Sequence, residues 1–419
     1  MDLTNNILEK LKDKKSVFLT GGAGVGKTTI TKNIIKHYED DAKKVAKLAS
    51  TAMAATLIDG QTLHSFLDFG IAGNLKELEL NGKLDISKKV KKVLSSMSLL
   101  VIDEVSMVSD ALLEMVHLRL LQADFKGSLL IVGDFLQLPP VVRGSSEVRF
   151  AFESSSWSKF AFEVVELTHI YRTDDKDFIE LLKDIRSGYV DENVHNILNE
   201  FIKPLPQDLS QFTFLFGKNE SASRHNKNQL EFIESELFIK IAEVVKHQKS
   251  VKDAEIERFM SDARVDKNLE LKLGAPVLFT RNAWNYFNGE RGLVVKIESE
   301  FVYVRKSDGT VVKLEAIAQS KKSWIEKSIG SKKEIVEESL FSVYQFPIKL
   351  AFAITIHKSQ GMSIEDLIVE TNEIFAPSQF YVAISRSSNP KRLTLIAPRK
   401  QWRDIVFVNQ KALRFVRGS

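Results

Sequence analysis

The sequence predicts an α/β protein of more than one domain, and three observations carry that prediction. Short apolar, β-rich runs alternate with helical stripes along the first part of the chain. The same alternation restarts after Leu167. The 419 residues amount to two or three domains at about 150 residues each. Strands and helices alternating at this length argue for a mostly parallel sheet covered on both faces.

In chain order, the strand-like runs of the first part are residues 17–20, 45–50, 99–103, 129–132 and 164–167. Apolar residues three and four apart predict a helix over 111–121, with Ser109 or Asp110 as its N-cap. After Leu167, Phe178, Leu181, Leu182 and Ile185 form a helical stripe, with Thr173 placed to open the helix and Gly188 just past its end. Strand-like runs at 213–216, 276–279, 368–370 and 393–396 then predict a second α/β domain. Two segments break the alternation. Residues 66–95 are short and polar and end in the cluster Lys88, Lys89, Lys91 and Lys92. Residues 284–345 hold short strands (292–297, 301–305, 311–314) separated by turns such as Asn288-Gly289 and Asp308-Gly309, which predict a small antiparallel, barrel-like insertion.

Composition narrows the function classes. Lys plus Arg is 59 and Asp plus Glu is 55, so the net charge of +4 excludes a polycation or an acidic tail but leaves room for a local basic groove. No apolar run approaches the roughly 18 residues of a membrane span, and the opening MDLTNNILEK lacks the pattern of a secretory signal. The absence of cysteine excludes disulfides and Cys-based metal centres and fits a reducing, cytoplasmic setting. The eight His are scattered without an HExxH, which argues against a protein-built metal centre.

Gly21-Gly-Ala-Gly-Val-Gly26-Lys27-Thr28 fits G-x-x-x-x-G-K-[ST], after a strand and before a helix. Glycines let the backbone N–H groups wrap phosphates, and the helix N-terminus adds positive potential. The nucleotide-binding set is therefore Gly22, Gly24, Val25, Gly26, Lys27, Thr28 and Thr29, with Lys27 on the β and γ phosphates and the Thr28 hydroxyl on Mg²⁺. The apolar run 99–103 ends in Asp103 and Glu104, carboxylates delivered to the sheet edge where phosphates bind. Asp103 is placed to hold Mg²⁺, and Glu104 to activate the attacking water. Gln137 follows the next apolar run, where it can bond the γ phosphate or its water.

The order of motifs resembles that of superfamily 1 helicases. The matching segments are 21–28, 103–107 (DEVSM), 133–141 (GDFLQLPPV), 171–173 (YRT), 355–363 (TIHKSQGMS) and 381–387 (YVAISRS). Within that superfamily the likeness is to the 5′-to-3′ branch of petite-integration-frequency, RecD-type and phage Dda helicases, most densely over 345–361 (QFPIKLAFAITIHKSQG). The resemblance spans about residues 15–397. It implies two RecA-like P-loop NTPase domains in tandem, each with a small insertion, and ATP with Mg²⁺ bound between them. Domain 1A would be 1–65 and 96–170, with insertion 1B at 66–95 as the wedge that splits the duplex. Domain 2A would be 171–283 and 346–419, with insertion 2B at 284–345 as a β-rich, SH3-like barrel. Lys27, Glu104 and Gln137 keep the catalytic roles argued above. Arg172 and Arg386 match the family's arginine fingers, and Gln360 and Gly361 match positions that couple the γ phosphate to the second domain. Ser50, Thr51, Thr62, His64, Asn219, Thr355, His357 and Ser359 match contacts to the DNA backbone.

The function so implied is an ATP-dependent DNA helicase that translocates 5′ to 3′ on single strands and acts on tailed or forked duplex in DNA replication, recombination and repair. Its minimal active form would be a monomer, with no membrane association. A second reading is a single-strand-stimulated ATPase that remodels nucleoprotein without separating strands, and the short 66–95 segment leaves both open. A small-molecule kinase would use the same glycine loop but leaves the second domain and both Arg motifs without a role. The sequence departs from the family in two places, the first being the short insertion at 66–95. No Gln precedes the first strand to read adenine, and Asn5 and Asn6 are the amides available there. Lysines at 88–92, 321, 322, 327, 332 and 333 are candidates to track phosphates, although a charge run is more often a solvated face. Trp284, Tyr286, Phe287 and Trp324 are candidates to stack on bases or to pack the small barrel.

Overall fold

A computed structural model of the chain describes residues 3–140, 147–206, 209–263, 265–281, 283–329 and 332–418. Val141 of the third motif, and the side chains of Lys332 and Lys333, lie outside the described residues. The first sheet has six parallel strands in the order Gln61–Thr62, Val45–Ala49, Leu99–Asp103, Ser128–Val132, Val17–Gly21 and Glu163–Leu167. Successive strand residues face opposite sides, so each strand feeds two cores. Phe18, Leu100, Ile102 and Ile131 pack with Leu113, Met115 and Val116 of helix Asp110–Gln122. Val17, Leu19, Leu99, Val101, Leu130 and Val132 pack with Ile7, Leu8, Ile34 and Ile35 of helices Leu3–Lys12 and Lys27–Asp40. Ser109, not Asp110, caps its helix, its side chain accepting from the Leu112 N–H at 3.1 Å.

The second parallel sheet has four strands, in the order Ala353–Thr355, Thr213–Phe216, Leu367–Val369 and Leu393–Leu395. Its core includes Phe178, Leu181, Leu182 and Ile185 of helix Lys176–Arg186. The N-cap of that helix is Asp175, two residues after Thr173, and the Asp175 side chain accepts from the Phe178 N–H at 3.0 Å. Gly188 takes the left-handed conformation just beyond its end, at φ 73°. Pro276–Phe279 is a correction to the sequence reading. It pairs antiparallel with Arg291–Ile297 and Ile348–Leu350, in a five-stranded sheet completed by Val302–Lys306 and Val311–Leu314. A short apolar run does not reveal whether its neighbours run parallel or antiparallel.

The sequence pattern missed the longest β element, the hairpin of Ile317–Ile329 with Lys332–Gln345. Its polar residues hide the alternation. The hairpin reaches the first domain, where Ile335 and Trp324 join the first core. Lys44 donates to the Ile335 carbonyl at 3.0 Å, Lys89 to Ser323 at 2.9 Å, and Lys322 meets Asp59 at 3.1 Å. Trp324 thus packs rather than standing free, and Tyr286 stacks on Phe279 at 4.3 Å, whereas Trp284 and Phe287 are exposed. Helix Gln410–Arg417, expected in the second domain, returns to the first, burying Ala412 and Leu413 there and stacking Phe415 on Phe152 at 4.2 Å.

Residues 66–95 form two short helices, Leu75–Leu80 and Lys88–Ser95, with Leu78, Val90, Val93 and Leu94 in the first core. Arg119 fastens this segment. Its buried guanidinium donates to the carbonyls of Leu67, Leu84 and Lys83 and lies 5.4 Å from the Phe69 ring centroid. Among the described residues no helix is long and apolar enough to cross a membrane.

Candidate nucleotide and nucleic-acid site

Strand Val17–Gly21 delivers the glycine loop to the C-terminal edge of the first sheet. Gly24 and Gly26 take left-handed conformations at φ 76° and 87°, where a side chain would be strained. A Cβ on Gly24 would also stand 2.8 Å from Cβ of Arg172. Helix Lys27–Asp40 begins directly after the loop. The Lys27 ammonium donates to the carbonyls of Gly21 and Gly22 at 2.7 Å each, and burial lowers its pKa.

A cavity of about 300 Å³ opens over this loop, lined by Gly24, Val25, Gly26, Lys27, Thr28 and Thr29. Glu104, Gln137, Arg172, Gly361 and Arg386 complete its walls, together with Tyr171 and Ser363. The loops of two sheets, far apart in sequence, therefore enclose one space. Gly22 and Asp103 stand behind the wall. Asp103 is buried and accepts the Glu104 N–H at 2.8 Å. Burial, and then the neighbouring Glu104, push its carboxyl up to about 7. Burial also raises Glu104, against the pull of Lys27 and Arg386. Glu104 sits at φ 53°, a left-handed conformation costly for a residue with a side chain, while the Ser50 hydroxyl holds its carbonyl at 3.0 Å.

The opposite wall carries two guanidiniums, Arg386 buried and Arg172 half-buried. Arg386 donates to the Val382 carbonyl at 3.0 Å and to the Ser385 hydroxyl at 3.0 Å. Arg172 donates to the Ser363 hydroxyl at 3.0 Å and the Ser385 carbonyl at 2.6 Å. Burial lowers both, Arg386 to about 10 and Arg172, which also faces Arg386, to about 9. Neither has a carboxylate hydrogen-bond partner among the described residues. Two such cations opposite the half-buried Lys27 ammonium make a cavity suited to a polyanion. The donor set fits a nucleoside triphosphate with Mg²⁺, since the glycine loop, a lysine, a threonine and the Glu104 carboxylate line the cavity, with the buried Asp103 carboxylate adjoining Glu104.

The PIF1-like helicase family profile matches residues 2–196. A Campylobacter jejuni protein named ATP-dependent DNA helicase Pif1 is 38% identical over 94% of this chain and 91% of its own. The chain belongs to the PIF1-like helicase family. A solved Bacteroides Pif1 in complex with ADP-AlF4 matches with a TM-score of 0.85 at 27% identity, covering 100% of this chain and 96% of that one. A Bacteroides Pif1 bound to ssDNA matches with a TM-score of 0.67 at 28% identity, over 100% and 96% of the two chains. The α/β architecture with two RecA-like domains is that of these helicases.

In this PIF1-like helicase the residues expected at DNA do not form one row. Thr51, Asn219 and His357 line a second cavity of about 710 Å³, with Gln360 and Glu104. Glu104 thus borders both the nucleotide cavity and this cleft, and Gln360 lines the cleft rather than the nucleotide cavity. Thr62 and His64 line a third cavity of about 900 Å³, walled by Lys89, Arg258, Arg281 and Lys322. Thr62 also caps helix Leu63–Phe66, accepting from Ser65, and His64 Nε2 meets the Ala72 carbonyl at 3.1 Å. Burial lowers the His64 pKa, which favours the neutral ring donating that bond. Three expected contacts are otherwise engaged. Ser50 holds Glu104. Thr355 is buried and accepts from the Lys358 N–H, and Ser359 is fully buried and donates to the Ile356 carbonyl at 2.8 Å. Both hydroxyls are used to shape the turn that carries His357.

Sequence reasoning missed four side chains at the nucleotide loop. Tyr381 Oη accepts the Ala23 N–H at 2.8 Å, and Arg186 forms a two-bond ion pair with Asp134. The Tyr171 ring lies 3.7 Å from where a Gly26 Cβ would stand. Tyr381, Tyr171 and Asp134 fell inside matched motifs, so a signal existed. Arg186 sits at the end of a helix whose stripe reads only as core. Neither Asn5 nor Asn6 lines the cavity.

Proposed function

We propose that this chain is an ATP-dependent DNA helicase that walks 5′ to 3′ on a single strand and separates tailed or forked duplex. The observation that carries this reading is the shared nucleotide cavity. One RecA-like domain contributes Lys27, Glu104 and Gln137, and the other contributes Gly361 and Arg386, so a bound triphosphate favours closure and its hydrolysis releases it. In this reading Lys27 neutralises the β and γ phosphates of the substrate ATP, and Glu104 takes the proton of the attacking water. Thr28 and Asp103 would hold Mg²⁺, which supplies further charge neutralisation on the phosphates. Arg172 and Arg386 stabilise charge developing on the transferred phosphoryl group. The exposed Tyr171 ring provides a stacking face for the base.

The single strand runs through the 710 Å³ cleft, where Thr51, Asn219 and His357 meet the backbone without reading sequence. The 66–95 segment is the wedge, fastened by Arg119. A single chain supplies both walls of the nucleotide cavity, which supports a monomer as the working unit. The cysteine-free composition supports a cytoplasmic setting, with roles in replication, recombination and repair. Replacing Asn219 and His357 together with alanine is expected to raise the single-strand concentration for half-maximal ATPase stimulation about tenfold. An unshifted stimulation curve would remove the cleft from the DNA path.

A further inference from the structure

We propose that Asp134 and Arg186 are positioning residues that fix which end of the Gln137 amide faces the reacting water, and that make this posture depend on the apposition of the two domains. This rests on the reading of Gln137 as the residue that orients that water.

Asp134 follows strand Ser128–Val132 of the first sheet and is 1% exposed. Arg186 is the last residue of helix Lys176–Arg186, whose apolar stripe belongs to the second core. The pair therefore crosses the domain boundary. Arg186 Nε donates to Oδ2 at 3.0 Å and Nη2 to Oδ1 at 2.8 Å. The Leu136 N–H donates to Oδ1 at 3.1 Å, and Gln137 Nε2 donates to Oδ2 at 3.2 Å. All four acceptor sites of the carboxylate are filled.

That arrangement decides the orientation of Gln137. Burial opposes the charge on Asp134, but Arg186 outweighs it, and the carboxyl stays below its ordinary pKa. An ionised carboxylate only accepts, so Gln137 must turn its NH₂ group to Asp134. A flipped amide would set Oε1 against the carboxylate oxygens. Oε1 is then the atom left to serve the nucleotide cavity, which Gln137 lines. A carbonyl oxygen accepts a water O–H and repels a phosphate oxygen. Gln137 is thus assigned to the water, where the residue type alone allows either partner.

The lock exists only while the domains are together. Arg186 Cδ and Tyr381 Oη stand 3.7 and 3.1 Å from where a Gly22 Cβ would be, and Tyr381 bonds the next residue of the loop. The same part of the second domain that neutralises Asp134 is seated on the nucleotide loop. Separation would strip Arg186's two donors from the carboxylate and leave the amide held by Asp134 alone. Water activation is thereby tied to closure.

The test is a double-mutant cycle on ATP turnover with saturating single-stranded DNA. Arg186→Lys keeps the charge but not the fork of two donors, and Asp134→Asn keeps the shape but can face Gln137 with either end. Each is made in the parent and in Gln137→Ala. Turnover is expressed per nucleotide site, counted by binding of a non-hydrolysable ATP analogue, so an unfolded fraction lowers the site count and not kcat. We expect either change to lower kcat about tenfold in the parent, with KM for ATP within about twofold. In the Gln137→Ala background the same change should move kcat by less than about twofold. Equal losses in both backgrounds would overturn the proposal and leave the pair as packing, as would an unchanged kcat in the parent. If Gln137→Ala alone leaves kcat intact, the water-orienting reading falls first, and this inference with it.

Discussion

Replacing Lys27 with alanine is expected to lower ATP turnover about 10³-fold or more, with or without single-stranded DNA. The Lys27 ammonium is half-buried at the start of helix Lys27–Asp40 and held by two carbonyls of its own loop. Its lowered pKa records how poorly its surroundings solvate the charge. A triphosphate answers that cost with fixed negative charge, and the gain grows as charge develops in the transition state. Alanine removes the cation while leaving the glycine loop intact, so no nearby side chain substitutes. ATPase assays at saturating nucleotide measure the loss. Turnover within about tenfold of the parent would contradict the assignment of this cavity to chemistry.

Arg386→Ala is the second large effect. A finger contributed across a domain boundary is worth about 10³-fold in turnover, so kcat should fall by that order while ATP still binds. Arg386 is 2% exposed and is held by Val382 and Ser385 rather than by a carboxylate. In the proposed role, an anion completes the environment of this charge when nucleotide is bound. Arg386→Lys should recover little, since an ammonium cannot reproduce the planar fork that keeps those bonds while facing the cavity. Nucleotide affinity and turnover, measured separately, distinguish this role from loss of binding. A variant with unchanged turnover would reject the finger role.

How much of this was legible in the sequence depended on chain locality. The glycine loop follows an apolar strand, Asp103 ends one, and Gln137 comes within five residues of one, so the strand's end fixes their place at the sheet edge. The two parallel sheets announced themselves through alternation. What stayed hidden depends on partners distant in the chain. Pro276–Phe279 reads as any buried strand until its antiparallel neighbours are known. The hairpin 317–345 carries too many polar residues to show its alternation, because much of its surface faces cavities and the first domain. Motif matching gave no sign that the hydroxyls of Thr355 and Ser359 also serve inside the turn. Arg186 was invisible because its partner, Asp134, lies 52 residues earlier on another domain.

The measurement that tests the account most directly is ATP-driven separation of a short duplex carrying a single-stranded tail on either its 5′ or its 3′ side. Lys27→Ala serves as the control. The account predicts ATP-dependent unwinding from the 5′ tail only, and none by the variant. Unwinding from the 3′ tail only would contradict the polarity. Single-strand-stimulated ATP hydrolysis without unwinding from either tail would contradict the helicase reading, leaving a motor that moves on DNA without parting its strands.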